Sequence, residues 1–187
     1  MKWKLVVCLL ALFSVSAMAS AQEEGGSKLD VFVGYSYLRD NPSTSGVNGF
    51  NLHGGSASAA YKINNWLSGV ADFGGYHANN ILGSGIDGTM STYLFGPRIS
   101  YRRHARYTPF AQTLFGVAHA GGSGFGISST NNAFAASFGG GVDVRLFHRL
   151  SFRPAQVEYL LTRFPETTTS RETQNNLRVS TGFVVHF

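Results

Sequence analysis

Three histidines and one serine are the residues whose types could do chemistry. His53, His77 and His119 precede Ser123, which follows His119 across Ala120-Gly121-Gly122. A serine nucleophile needs an imidazole base within hydrogen-bond reach and a third group to orient that imidazole. Here the His–Ser spacing falls in a glycine-rich loop, so catalysis is not expected, and the histidines read as girdle or loop residues. Imidazole is also the commonest metal ligand, yet no short fixed spacing joins these three, and no metal site is expected. The stretch GGSGFG, Gly121 to Gly126, lacks the strand-then-helix context and the following Lys-Ser/Thr of a phosphate loop. Cys8, the only cysteine, lies in the apolar leader, followed by Leu9-Leu10 and not by a lipoprotein-type cleavage junction. Once the leader is removed there is no thiol for disulfides, thiolate ligation or cysteine catalysis. No cofactor is expected.

A second set of residues carries charge with more order. Asp30, Asp72, Asp143 and Glu158 are matched by Lys62, Arg98, Arg145 and Arg178. Each sits in a segment of alternating polarity, on the face opposite the apolar one. If that face lines a narrow interior, the charges must pair, because an unpaired buried charge is costly.

The elements that would position these charges begin after a leader. Lys2 and Lys4 flank a start followed by the apolar run Leu5 to Phe13, which is too short for a membrane helix. Small residues follow, and Ala17-Met18-Ala19 and Ala19-Ser20-Ala21 both fit a signal-peptidase site. Residues 1–21 are read as a signal peptide and 22–187 as one domain. Loss of Lys2 and Lys4 lowers the net charge from +5 to +3, too mild for a nucleic-acid surface. No later stretch is apolar enough for a transmembrane helix.

From Lys28 onward the period is two. Leu29, Val31, Val33, Tyr35 and Tyr37 alternate with Asp30, Phe32, Gly34 and Ser36. Ala57, Ala59, Tyr61 and Ile63 oppose Ser58, Ala60 and Lys62, and Leu67, Ala71 and Phe73 oppose Asp72. Tyr93, Phe95, Pro97 and Ile99 oppose Gly96, Arg98 and Ser100. In the fifth segment Gln112 is placed inside, although Phe110 and Leu114 make the opposite register nearly as good. Phe134, Ala136, Phe138, Val142 and Val144 oppose Ser137, Asp143 and Arg145. Pro154 cannot donate to a ladder, so a bulge is expected there; beyond it Val157, Tyr159 and Leu161 oppose Gln156 and Glu158. The last segment, LRVSTGFVVHF, sets Leu177, Val179, Thr181, Phe183, Val185 and Phe187 against Arg178, Ser180, Gly182 and His186.

These are eight strands of the length a tilted membrane strand needs. Their connections alternate long and short, with the third long one spanning GGSGFGISSTNN. An up-and-down barrel would place four long loops at one end and three tight turns at the other, as outer-membrane barrels do. Alternation alone leaves the faces open: a soluble ligand-binding barrel would turn its apolar face inward. The membrane reading is favoured by Tyr35, Tyr37, Tyr61, Tyr76, Tyr93, Tyr101, Tyr107 and Tyr159, many of them near strand ends where aromatic girdles sit. Small residues on the apolar face, such as Ala57, Ala59 and Ala71, suit lipid better than a packed core. The balanced charges of the polar face point the same way.

With its terminal strand LRVSTGFVVHF, and more weakly with GGGVDVRL and VEYLLTRF, the chain resembles the eight-stranded outer-membrane β-barrel family of the OmpA/OmpX-like type, over Lys28 to Phe187. The resemblance implies an all-β, eight-stranded antiparallel up-and-down transmembrane barrel in the cell outer membrane. It implies contact with outer-membrane lipid and lipopolysaccharide. It also implies a terminal signal read by the barrel assembly machinery, here Val179, Phe183, Val185 and Phe187. No peptidoglycan-binding domain follows the last strand as in OmpA, so no cell-wall tether is expected.

The expected interior is closed by the ion pairs and has no permanent pore. The expected role is structural, or interactive through the long loops toward an unidentified extracellular partner. Alternatives are a small-solute pore, a lipid A-modifying enzyme using His119, and a soluble periplasmic ligand-binding barrel. The basic short turns, with Arg102, Arg103, His104, Arg106, His148 and Arg149, are expected to meet anionic headgroups or solvent.

Overall fold

A computed structural model describes residues 27–40, 49–78, 87–104, 106–124, 127–164 and 172–187. The expected signal peptide, Met1 to Ala21, lies outside them. Eight strands follow in order: β1 (Leu29–Asp40), β2 (Phe50–Lys62), β3 (Leu67–Ala78), β4 (Asp87–Ser100), β5 (Tyr107–Gly124), β6 (Ile127–Phe147), β7 (Leu150–Phe164) and β8 (Glu172–His186). Each pairs antiparallel with its sequence neighbour, and β8 returns to β1 to close the barrel. Closure leaves no unpaired sheet edge, so each strand pairs with a neighbour on both sides.

The period-two pattern sorts the side chains. Val33 and Phe138 are 60% and 65% exposed on the outer wall, whereas Leu114 and Arg178 are 0% exposed inside. The wall is therefore apolar outside, and the inward-facing arrangement of a soluble ligand-binding barrel is overturned. The fifth strand has the register that puts Gln112 inside, with Ala111, Phe115 and Val117 on the outer wall.

Two departures from strict alternation shape the interior. In β7 the pairing with β8 slips between Arg153 and Gln156. Pro154 and Ala155 both point outward, so Arg153 and Gln156, three residues apart, are both buried. This is the expected bulge at a residue that has no N–H to donate. The same bulge shifts the β6–β7 pairing between Val142 and Val144, and the second departure is in β6, between Arg145 and Phe147, next to the tight turn that ends the hairpin. Interior bulk is accommodated by glycine. Gly182 lies opposite both Gly34 and Arg153. A Cβ on Gly182 would strike the Val33 carbonyl and crowd the Phe32 ring.

The connections differ at one place from expectation. Residues 41–48, 79–86 and 165–171 fall outside the described residues, and the connections at 63–66, 101–106 and 148–149 are short. In the first of these, Asn64 Oδ1 accepts from the Trp66 and Leu67 backbone N–H groups at 3.0 and 2.7 Å, an Asx-type turn. The expected third long loop is instead mostly ladder. Gly121 pairs with Thr130, Ser123 with Ser128 and Gly124 with Ile127. Ladder hydrogen bonds use only backbone, so a Gly/Ser/Asn composition does not prevent them. β5 and β6 have 18 and 21 residues, well beyond the ~10 that a tilted spanning strand needs.

Candidate functional site

The interior is stacked in four zones from the short-turn end to the long-loop end. Its centre is Arg178, fully buried on β8. Its Nε donates to Glu158 Oε2 at 2.7 Å and its Nη2 lies 2.5 Å from the same oxygen. Its Nη1 donates to Asp72 Oδ1 at 2.7 Å and to the Tyr76 hydroxyl at 3.3 Å. Glu158 also accepts from Gln112 Nε2 at 2.8 Å, Gln156 Nε2 at 2.7 Å and Ser137 Oγ at 3.1 Å. Two carboxylates thus share one guanidinium, and the amides of Gln112 and Gln156 fill the remaining lone pairs. A buried ion pair is tolerated only when satisfied in this way. Tyr76, grouped above with the girdle tyrosines, is an interior residue, 3% exposed.

Toward the short turns lies a cation–aromatic stack. The Arg98 and Arg153 guanidinium carbons sit 4.5 and 4.4 Å from the Phe110 ring centroid, and Arg153 also lies 4.5 Å from that of Phe32. Such contacts gain when desolvated. Arg153 donates to Asp143 through Nε at 2.6 Å and Nη2 at 3.0 Å, a bidentate pair. Its Nη1 donates to Gln156 Oε1 at 2.6 Å. Arg98 has a different fate. Its Nε donates to Gln112 Oε1 at 2.8 Å, and its buried Nη2 has no hydrogen-bond partner. Among the described residues no carboxylate comes within salt-bridge distance of it.

At the short-turn mouth Asp30 gathers Lys62 at 2.9 Å, Arg102 at 3.7 Å and His186 Nδ1 at 2.7 Å. A cavity of about 270 Å³ opens here. The long-loop half is more apolar, with Leu38, Leu52, Met90, Leu94, Leu114 and Leu160 in one buried cluster beside the uncharged Thr92, Thr162 and Asn176.

Of the eight charges singled out above, the structure joins Arg178 with Asp72 and Glu158, and Lys62 with Asp30. Asp143 is instead held by Arg153, and Arg98 by an amide. Arg145 does not join them. It lies past the first β6 shift, at the rim beside the tight turn, and is exposed. Arg153, Gln112 and Gln156 matter as much as the eight. Only the bulge brings Arg153 inward, and Pro154 is its signal. On the outer wall Val179, Phe183, Val185 and Phe187 form one row down β8; the Phe187 N–H and carbonyl bond to Leu29 at 2.8 and 3.1 Å.

The histidines face outward near the long-loop end. His53 lies opposite His77, and its Nδ1 is 2.6 Å from the Tyr35 hydroxyl. The His119 Nδ1 is 2.5 Å from Asn132 Oδ1. Ser91 of β4, not Ser123, lies across from His119. Among the described residues no hydrogen bond joins that pair, and the side chain of Ser123 lies outside them. Nor does any group of three His, Cys, Asp or Glu among the described residues have the geometry to hold a metal ion.

A closed, antiparallel, eight-stranded barrel with an apolar outer wall and a polar, ion-paired centre defines a membrane-spanning β-barrel. Residues 5–187 match the outer membrane protein beta-barrel domain, and the chain belongs to that family. It is a protein of the outer membrane. Among solved structures it is similar to Neisserial surface protein A, at 16% identity over 88% of this chain and 100% of that one, with a TM-score of 0.67. It is also similar to Ail, the attachment invasion locus protein of Yersinia pestis, at 16% identity over 86% of this chain and 99% of that one, with a TM-score of 0.57. At such identities the likeness is one of fold. No curated protein matches the chain.

Proposed function

We propose that the protein is a closed barrel with a structural or surface-interaction role, exercised through the connections at its long-loop end. The observation that carries this reading is the filled interior. The Arg178 network occupies the centre, and the leucine cluster lies between it and the long-loop end. The lumen of an eight-stranded barrel is narrow enough for side chains to fill it. The β5–β6 hairpin continues the ladder past the last β6–β7 pair at Phe134 and Arg163, at the long-loop end. Binding residues concentrate on such segments held by a rigid scaffold. Ail, a structural relative, is named for attachment, in keeping with the interaction reading.

Two further parts belong to the same reading. The β8 row of Val179, Phe183, Val185 and Phe187 serves as the recognition strand for the assembly machinery, with its apolar edge turned to lipid. The outward His119 acts as an interfacial residue bonded to Asn132 and not as a general base. The primary test is planar-bilayer conductance of the folded protein. The expected result is no steady channel above the lipid baseline, and a stable open level would overturn the closed interior. The mass of membrane lipid A is expected to be the same with the parent chain and with His119→Ala. A lipid mass shift lost in that variant would make the protein an enzyme.

A further inference from the structure

We propose that the short-turn mouth of the barrel is a binding site for a phosphate-class oxyanion, with Arg98 as its deepest cation. The argument goes beyond the reading above and starts from charge. Four cations line the cavity, Lys62, Arg98, Arg102 and Arg145, against two carboxylates, Asp30 and Asp143. Asp143 is already engaged by Arg153 through both oxygens, and Arg153 does not line the cavity. Asp30 is shared between Lys62, Arg102 and His186. The cavity therefore has an excess of positive charge.

Arg98 is 3% exposed, and its Nη2 has no hydrogen-bond partner. Its other contacts are the neutral Gln112 amide and the face of Phe110. Burying a guanidinium with no carboxylate in direct contact is costly. An anion in the cavity would supply that contact.

The geometry selects the class of anion. The donors come from different walls: Lys62 ends β2, Arg98 is on β4, Arg102 is in the following turn and Arg145 is near the end of β6. Hydroxyls of Ser100, Thr108 and Ser151 add uncharged donors between them. Donors that converge from several directions suit a tetrahedral oxyanion with three or four acceptor oxygens. A planar carboxylate would use two of them. The volume, about 270 Å³, sits just below the usual ~300–1,000 Å³ range of small-molecule pockets and fits one phosphate group with water. Two sources share this chemistry, a free phosphate or phosphomonoester on the short-turn side and the headgroup of an anionic lipid.

The test titrates inorganic phosphate into the full chain folded in a non-ionic detergent, followed by calorimetry, with acetate and chloride as comparison ions. The expected result is saturable binding with a Kd of about 1 mM or tighter, weakened about tenfold or more in Arg98→Gln and only a few-fold (~3) in the rim variant Arg102→Gln. Folding of each variant is checked by its heat-dependent gel shift. If Arg98→Gln does not fold, Lys62→Met combined with Arg102→Gln reads the site from the rim. Absence of saturable phosphate binding overturns the site, as does binding that none of these variants weakens. Acetate binding as tight as phosphate overturns the class. Repeating the titration in phosphatidylcholine nanodiscs with and without phosphatidylglycerol separates the sources. Weaker phosphate binding with phosphatidylglycerol assigns the site to a lipid headgroup, and unchanged binding assigns it to a free anion.

Discussion

The two halves of the interior are built from the same strands and follow opposite chemistry. On the long-loop side the lumen is sealed by leucines and a methionine that need only volume complementarity. In the centre and toward the short turns it is sealed by Arg178, Arg153 and their partners, each held by directional contacts of 2.5–3.3 Å. The difference teaches how a barrel can be plugged in two ways. Apolar packing tolerates a lost methylene by partial collapse. A charge network fails abruptly, because removing one member strands the others without solvent.

The largest break in this comparison is expected from Arg178→Ala. It leaves Glu158 and Asp72 buried without their guanidinium, and a loss of about 3–5 kcal/mol follows. The check is the urea midpoint of the heat-modifiable band in detergent. Leu114→Ala on the apolar side should cost less, about 3 kcal/mol, through the cavity it leaves, and should keep the same cooperativity. A sharper comparison replaces the charges together, as Arg178→Met, Glu158→Met and Asp72→Leu. With no charge left unpaired, the expected loss falls to about 1–2 kcal/mol, from the orphaned Gln112 and Gln156 amides. A triple variant weaker than Arg178→Ala would show that the network is worth more than its desolvation. The smallest effect is expected at the rim. Arg102→Gln should change stability by less than about 1 kcal/mol, since its contact to Asp30 is long and its bonds to the Asn65 carbonyl and the Ser68 hydroxyl lie at the partly open rim.

Much of the barrel was legible in the chain. A period of two put Asp72, Arg98, Gln112, Glu158 and Arg178 on one face, because side-chain direction along a regular strand follows position parity, and the tyrosines near strand ends and the small residues of the apolar face turned that face inward. Pro154 marked the bulge for the same local reason. Which charge meets which was not legible. Arg178 and Asp72 are 106 residues apart, and their contact depends on register around the whole closed sheet. Arg145 illustrates the limit. Its parity faces it inward, opposite the buried Ser151, but it stands so near the open mouth that it is exposed and meets no carboxylate among the described residues. The β5–β6 arm was hidden for a different reason. Its glycines, serines and asparagines look like loop, while its order comes from backbone pairing that carries no side-chain signature.

By itself the sequence determined the strand number, the two faces and the end at which most of the long connections gather. They follow from local alternation, turn chemistry and the placing of tyrosines and small residues on the apolar face. Only the tertiary structure decided that the lumen is more apolar toward one end and ionic toward the other, that Asp143 is held by Arg153, a residue outside the eight charges singled out, and that Arg98 is left facing a cavity with charge to spare. Those outcomes depend on which strands closure brings together, and closure is a property of all eight strands at once.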